Sequence, residues 1–240
     1  KPAMIRPLLI LFLLGALQGV IGWIMVASGL TGDAVYVKPT RLALHFVFAL
    51  VLIAYAFWFA LQLRVPEKER AKAPGLQSWT GWLIAIVIIQ LVFGALMAGH
   101  KAATAAPTWP DINGSWVPAG LWQPEHGVHN LIDNKITIHF IHRGLAYLIL
   151  VLVIFYTVKI FRFNTAGRVL KQAGKMPLLL VCIQVILGIL SLLTSNQIVP
   201  NRWGAFEWMA QLHQVTGMLF LLSLVAMLYL TRKPINAQLS

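Results

Sequence analysis

Cysteine is nearly absent from this chain, since Cys182 is the only one among 240 residues. A single cysteine excludes a disulfide framework and a thiol redox pair within the chain. Because Cys182 lies within a long apolar run, we expect it to pack in the core. Charged side chains are also scarce, at 11% of residues, well below the share of about 25% that soluble domains usually have. This scarcity excludes an ordinary soluble globular protein.

Acidic residues number only seven, and none falls in the middle of an apolar run. The sequence contains no phosphate-binding loop, no zinc-protease motif and no nucleophile triad. The formal net charge of +12 resembles that of a nucleic-acid-binding protein. In a membrane protein, however, the distribution of charge is more informative than its total, and we expect no nucleic-acid partner.

Apolar residues are abundant, at 59% of the chain with a mean hydropathy of +0.77. A run of about 20 apolar residues is long enough to cross a hydrocarbon core about 30 Å thick. We therefore predict an all-α protein with six transmembrane helices surrounded by membrane lipid. The predicted spans are Ile5–Leu30, Thr40–Leu63, Trp79–Gly99, Ile136–Ile160, Met176–Thr194 and Phe206–Leu230.

Basic residues indicate the orientation of these spans. Most of the 19 lysines and arginines fall in the N-terminus, the second and fourth connections and the C-terminus, from Lys1 and Arg6 to Arg232 and Lys233. The positive-inside rule then predicts that both termini lie in the cytoplasm or an equivalent compartment. The first span is too long for a signal peptide and is expected to remain in the membrane.

One connection is unusually long. About 35 residues join the third and fourth spans, and connections of that length usually have a function. This one is rich in proline and tryptophan, and tryptophan suits the membrane interface. We interpret it as an outer cover over a buried group, with a plain interfacial loop as the alternative.

The chain contains three copies of one helical hairpin. The first helix of each copy carries Gln-x-x-x-Gly, at Gln18 and Gly22, Gln90 and Gly94, and Gln184 and Gly188. The second helix carries His-x-x-x-small, at His45 and Ala49, His142 and Ala146, and His213 and Gly217. Residues four apart share a helix face, so we expect each small residue to clear space beside its imidazole.

Histidines within membrane spans indicate function, because polar groups there are costly. Imidazoles from two helices, with small residues at the ring edge, are the usual arrangement for binding heme. The alternative is that each histidine only bonds a neighbouring helix, as we expect of the glutamines. Arg143 fits either a heme propionate or an interfacial position. His139 is interpreted as a pocket or interface residue, and His126 and His129 with Glu125 as a weak metal-site candidate.

The same positions resemble the heme A synthase family along nearly the whole chain. The residues that carry this resemblance are Gln18-Gly19-x-x-Gly22-Trp23, Arg41-Leu42-x-x-His45-x-x-x-Ala49, Thr108-Trp109-Pro110, His142-Arg143-x-x-Ala146 and His213-Gln214-x-x-Gly217.

In that family, eight helices form two pseudo-symmetric four-helix bundles. The resemblance implies a partial N-terminal bundle over residues 1–75 and a C-terminal four-helix heme bundle over residues 76–240. It further implies that His142 and His213 are the axial iron ligands of a resident heme b, with Arg143 beside it, and that His45 lies on the substrate-heme side. The family's second helix, with its glutamate and another histidine, has no counterpart here.

The implied activity is oxidation of a ring methyl of heme O to a formyl group, for cytochrome oxidase biogenesis. The implied partners are heme O synthase and cytochrome c oxidase assembly factors, and a homo-oligomer is possible. The implied location is the bacterial inner membrane, with the mitochondrial inner membrane as the alternative. No catalytic residue can be assigned. A b-type heme electron-transfer protein and a repeat-built transporter are the rival functions.

Overall fold

The computed structural model describes residues 2–30, 35–163, 167–199 and 202–232. Lys1 and Lys233 of the predicted cytoplasmic set, and the acidic residue Asp33, lie outside the described residues. Six long helices account for most of the described chain: α1 (Pro2–Ala27), α2 (Pro39–Arg64), α3 (Pro74–Gly99), α4 (Lys135–Arg162), α5 (Lys175–Leu193) and α6 (Ala205–Leu230). All six are long and apolar enough to cross a membrane. The predicted all-α fold with six spans is confirmed.

Three helix ends differ from the prediction by three or more residues, and the others agree within two residues. Helix α1 begins at Pro2 instead of Ile5. Helix α1 ends at Ala27 instead of Leu30, because the chain turns there and Ser28 bonds back to Met25 through both its backbone N–H and its hydroxyl. Helix α3 starts at Pro74, five residues early, because proline has a helical φ angle and needs no hydrogen bond in the first turn. Apolar runs mark the membrane-spanning part of a helix and miss such polar turns.

Helices α3 to α6 pack around one core that includes Leu83, Val153 and Leu224, all 1% exposed or less. Helix α2 joins this core through Leu50 and packs against α3 and α6. Helix α1 packs against α2, and Ile21 is its only buried residue among those described. The division at residue 75 stays a prediction.

The prediction that Cys182 packs in the core is wrong, because this side chain is exposed on α5. The outward face of a membrane helix is as apolar as its inward face, since lipid surrounds it. Apolar neighbours in the sequence therefore do not indicate burial within the protein.

The end of the bundle remote from the repeat histidines is held together by polar contacts. Arg70 donates to the hydroxyl of Tyr229 at 2.6 Å, and its guanidinium lies 4.3 Å from the centre of that ring. The N–H of Ala71 donates to the carbonyl of Leu230 at 2.7 Å. These contacts fix the α2–α3 connection against the end of α6 and so join the first hairpin to the rest of the bundle.

Residues 100–134, called the cover below, pack against the opposite end of the bundle. Asn134 caps α4 by accepting from the N–H of Ile136, and its amide donates to the carbonyl of Gly120. The hydroxyl of Thr137 donates to Leu121, and His100 donates to the carbonyl of Ile132. The long connection thus packs on the start of α4, close to the histidines of the repeat.

Candidate functional site

Each glutamine of the repeat contacts the histidine of the following long helix. The amide nitrogens lie 3.1 Å from Nδ1 of His45 for Gln18, 3.4 Å from Nε2 of His142 for Gln90, and 3.3 Å from Nε2 of His213 for Gln184. An amide N–H can only donate, so the ring nitrogen accepts in each pair. The predicted interhelical role of the glutamines is confirmed, and a Gln–His contact recurs in all three hairpins, closest to Nδ1 in the first and to Nε2 in the other two.

The glycine of each repeat lies against the same imidazole. A Cβ placed on Gly22, Gly94 or Gly188 would be 3.0, 3.2 or 2.9 Å from Cε1 of His45, His142 or His213. Atoms do not approach so closely without displacement, so an alanine here would push on the ring. Gly15, Gly81 and Gly144 have no neighbouring atom within 4 Å of such a Cβ. The repeat glycines are therefore the positions that make room for the imidazoles.

This result changes one prediction. We expected the small residue four positions after each histidine to clear that space, but a Cβ on Gly217 would meet the amide of Gln184 at 3.1 Å. In this hairpin the glycine of the preceding helix, Gly188, lies against the ring of His213. Helix periodicity shows which residues share a face but not which neighbouring helix they meet.

His142 and His213 are brought together across the bundle. Their ring centroids are 6.3 Å apart and the ring planes make an angle of 72°. The two residues come from α4 and α6, which are far apart in the sequence. This pairing goes beyond the glutamine contacts, which a histidine serving only helix packing would also make.

The hydrogen bonds of His213 define which ring nitrogen is free to act as a ligand. Nδ1 lies 3.0 Å from the carbonyl oxygen of Gln184, to which it donates. The proton is therefore on Nδ1. The lone pair of Nε2 accepts a hydrogen bond from the Gln184 amide and is the one available to a metal. A metal-binding histidine is commonly oriented in this way, with its other N–H on a backbone carbonyl.

The spacing of the two rings fits a shared iron. Imidazoles that bind one metal from opposite sides have centroids separated by two metal–nitrogen bonds of about 2 Å and by both ring radii, roughly 6 Å in all. Nδ1 of His142 is buried without a hydrogen-bond partner in the described part of the chain. Two neutral imidazoles in an apolar bundle are a donor set suited to heme iron.

His45 has a different environment. Gln18 contacts its ring and also donates to its backbone carbonyl at 3.1 Å. No ring contact joins His45 to another histidine in the described ranges. The structure therefore brings two of the three repeat histidines together and leaves the third in the first hairpin.

Arg143 binds the backbone of the cover. Its guanidinium donates to the carbonyls of Thr108, Pro110 and Asp111 at distances from 2.6 to 3.1 Å. The same segment is tightened by the carboxylate of Asp111, which accepts from the N–H of Gly114 and from the Thr108 hydroxyl. These two donors hold the pKa of Asp111 below its ordinary value. Arg143 thus ties α4 to the long connection with three of its five N–H donors, and no hydrogen bond to the described residues uses the other two.

The remaining histidines separate into buried and exposed residues. His139, one turn before His142, is 3% exposed. His126 and His129 are exposed on the cover, and His129 lies 3.7 Å from Asp133. No group of three metal-binding side chains occurs within the described residues, so the weak metal-site candidate at His126 and His129 gains no support.

Residues 1–225 match the sequence profile of one protein family, which is described as cytochrome oxidase assembly protein. A protein named heme A synthase from Bradyrhizobium sp. (strain ORS 278) is 37% identical over 219 residues, which are 90% of this chain and 57% of that protein. Another of that name, from Brucella suis (strain ATCC 23445 / NCTC 10510), is 38% identical over 185 residues, 77% of this chain and 51% of that protein. The chain thus spans about half the length of these relatives. No solved structure matches it.

Proposed function

The chain belongs to the cytochrome oxidase assembly protein family, and on that basis we propose that it acts as a heme A synthase-type oxidoreductase. Its bacterial relatives and six apolar helices identify it as a protein of a bacterial membrane. The proposed reaction oxidises a ring methyl of heme O to a formyl group by two successive hydroxylations and loss of one water, and the four electrons removed from the methyl carbon pass to a separate redox partner. The relatives named heme A synthase support this assignment.

We assign a resident heme b to His142 and His213. The observation that carries this proposal is the 6.3 Å separation of the two rings inside one helix bundle. The amides of Gln90 and Gln184 lie on the Nε2 atoms that would bind iron. Coordination would exchange these two hydrogen bonds for iron–nitrogen bonds, with the glutamine side chains rotating aside.

The protein residues would hold and orient this group. Gly94 and Gly188 allow the imidazoles to lie close to α3 and α5, which limits rotation of the rings. Arg143 keeps two donors that suit a propionate. Bound heme would supply one-electron redox chemistry, while the protein sets its orientation and electronic environment.

His45 is proposed to face the substrate heme. His45 lies on α2 and its ring contacts Gln18 and Gly22 of α1, whereas His142 and His213 face each other within four packed helices. A buried macrocycle needs apolar walls on every side. We therefore propose that additional helices complete the substrate side, and that the 240 residues alone bind no stable heme at His45.

Orientation and partners follow from the same assignment. We propose cytoplasmic termini, so that residues 100–134 cover the outer end of the bundle. Heme O synthase would deliver the substrate, and cytochrome c oxidase assembly factors would receive the product. Association of two or more copies of the chain is also compatible with the extensive apolar surface of α1.

Reconstitution with heme O tests this function. The purified chain is supplied with heme O and a redox partner, with or without the first helical hairpin of a longer relative, and extracted pigments are analysed for the formyl porphyrin. We expect heme A only with the added hairpin. Heme A from the chain alone would show that the added helices are dispensable. Absence of product in both arms, with bound heme b, would contradict the synthase assignment and favour an electron-transfer protein.

A further inference from the structure

His139 is buried without a hydrogen-bond partner. Its side chain is 3% exposed, and neither Nδ1 nor Nε2 has a partner among the described residues. A neutral imidazole carries one N–H donor and one acceptor nitrogen. Leaving such groups unpaired in a buried site destabilises the folded protein. A structural histidine would be expected to have at least one of these groups satisfied, as His213 does.

The position of His139 relates it to two residues of the candidate site. His142 follows three positions later and Arg143 four positions later, and both spacings place side chains on a shared face of α4. His139 therefore lies one turn nearer the cover than the iron ligand proposed at His142. Residues 102–105 of the cover pack against α4.

Arg143 supplies further N–H donors near His139. Its three bonds to the cover fix the guanidinium at the start of α4 and leave two N–H donors. Unused donors of an arginine and a buried imidazole N–H are complementary to a carboxylate, which only accepts. Of the groups on a heme, only the propionates are carboxylates.

We propose that His139 donates a hydrogen bond to a propionate of the heme held by His142 and His213, together with Arg143. This inference rests on the proposed heme site and adds a positioning residue to it. His139 acts on the carboxylate side of the ring and does not bind the iron. Its role is to fix the rotation of the macrocycle about the axis joining the two imidazoles.

The test compares protoheme with its dimethyl ester, in which both carboxylates are neutral. Each is bound to the chain and to His139→Phe, His139→Gln and His129→Phe variants, and transfer to excess apomyoglobin gives the rate of heme loss. His129 is the control because it is an exposed histidine of the cover. Visible spectra of each complex report whether the two axial imidazoles remain.

We expect His139→Phe to lose protoheme about tenfold or more faster than the parent chain, as for a lost hydrogen bond to a charged group. The parent chain should lose the dimethyl ester faster than protoheme, and His139→Phe should add little to that loss. His139→Gln keeps an N–H donor and should restore most of the retention. His129→Phe should match the parent chain.

The outcomes separate this inference from the proposed function. If His139→Phe speeds the loss of protoheme and the loss of its ester by the same factor, or changes neither rate, the propionate contact is overturned and the heme site stays intact. Failure of the parent chain to bind protoheme would overturn both proposals. If His139→Phe does not fold, the ester effect on the parent chain and the retention by His139→Gln decide the question. Rapid loss by a folded His139→Gln variant would contradict the donor role.

Discussion

The first hairpin and the remaining bundle carry the same Gln–Gly–His arrangement in different surroundings. In the hairpin, Gln18 and Gly22 contact His45, and one helix packs on another. In the bundle, two copies of the arrangement face each other and bring His142 and His213 to 6.3 Å. The comparison teaches that the motif positions an imidazole, whereas two opposed motifs are needed to form a site for a six-coordinate iron.

Replacing the histidines is expected to give the largest difference between the two regions. His142→Ala or His213→Ala should abolish or strongly shift the heme spectrum, because each removes one of two iron ligands. His45→Ala should leave the spectrum of the resident heme unchanged. Heme content by pyridine hemochromogen assay and visible spectroscopy measures both effects. Unchanged spectra in the two bundle variants would exclude these ligands.

The repeat glycines give the next largest effect. Gly188→Ala places a Cβ 2.9 Å from His213 Cε1, and overpacking of this kind typically costs about 1–3 kcal/mol. We expect the variant to lose heme several-fold faster, while Gly22→Ala, beside His45, should not. Gly144→Ala is the matched control because its Cβ would meet no atom within 4 Å. Equal heme-loss rates for Gly188→Ala and Gly144→Ala would contradict the role of the glycine.

A substitution of Arg143 tests whether the bonds from α4 stabilise the cover. Arg143→Gln removes donors to three carbonyls and should speed amide hydrogen exchange in residues 108–114 by about tenfold, since local opening becomes easier. Arg41 in α2 is exposed, and Arg41→Gln should leave this exchange unchanged. Equal amide exchange rates in the Arg143→Gln and Arg41→Gln variants would show that the cover is held in place without Arg143.

The smallest expected effect concerns the contact of Tyr36, in the connection of the first hairpin, with Lys101 of the cover. The ammonium of Lys101 lies 3.8 Å from the centre of the Tyr36 ring. By hydrogen bonding and by its positive charge it holds the pKa of Tyr36 below the ordinary value. Tyrosinate should therefore form at higher pH in Lys101→Met. Ultraviolet difference titration against Tyr36→Phe measures this change, with Lys135→Met as control, and an unshifted titration would contradict the contact.

Sequence analysis predicted most of the fold and part of the site. Hydrophobic runs located six spans because a membrane helix must be apolar throughout its length. The repeat identified the three glutamines, glycines and histidines, but it could not show that the glycine of the preceding helix lies against the ring. That contact depends on helix packing, although the recurring Gly four positions after each Gln was a usable signal.

Residues outside the repeat were harder to predict. His139 breaks the three-fold pattern, and its complete burial depends on how the cover packs on α4. The bonds from Arg143 to the cover depend on a long irregular connection, for which periodicity gives no information. The contact between Arg70 and Tyr229 joins residues far apart in the sequence and was not predicted. Its aromatic and basic residues look like ordinary interfacial side chains in the sequence.

Axial ligation of the purified chain tests the central claim most directly. The ferric protein is loaded with protoheme and measured by electron paramagnetic resonance, with the heme-to-chain ratio determined on the same sample. We predict one heme per chain and a strongly anisotropic low-spin signal, because ring planes at 72° make the iron orbitals nearly equal in energy. A high-spin signal, no bound heme, or a low-spin signal that persists in His142→Ala would contradict the account.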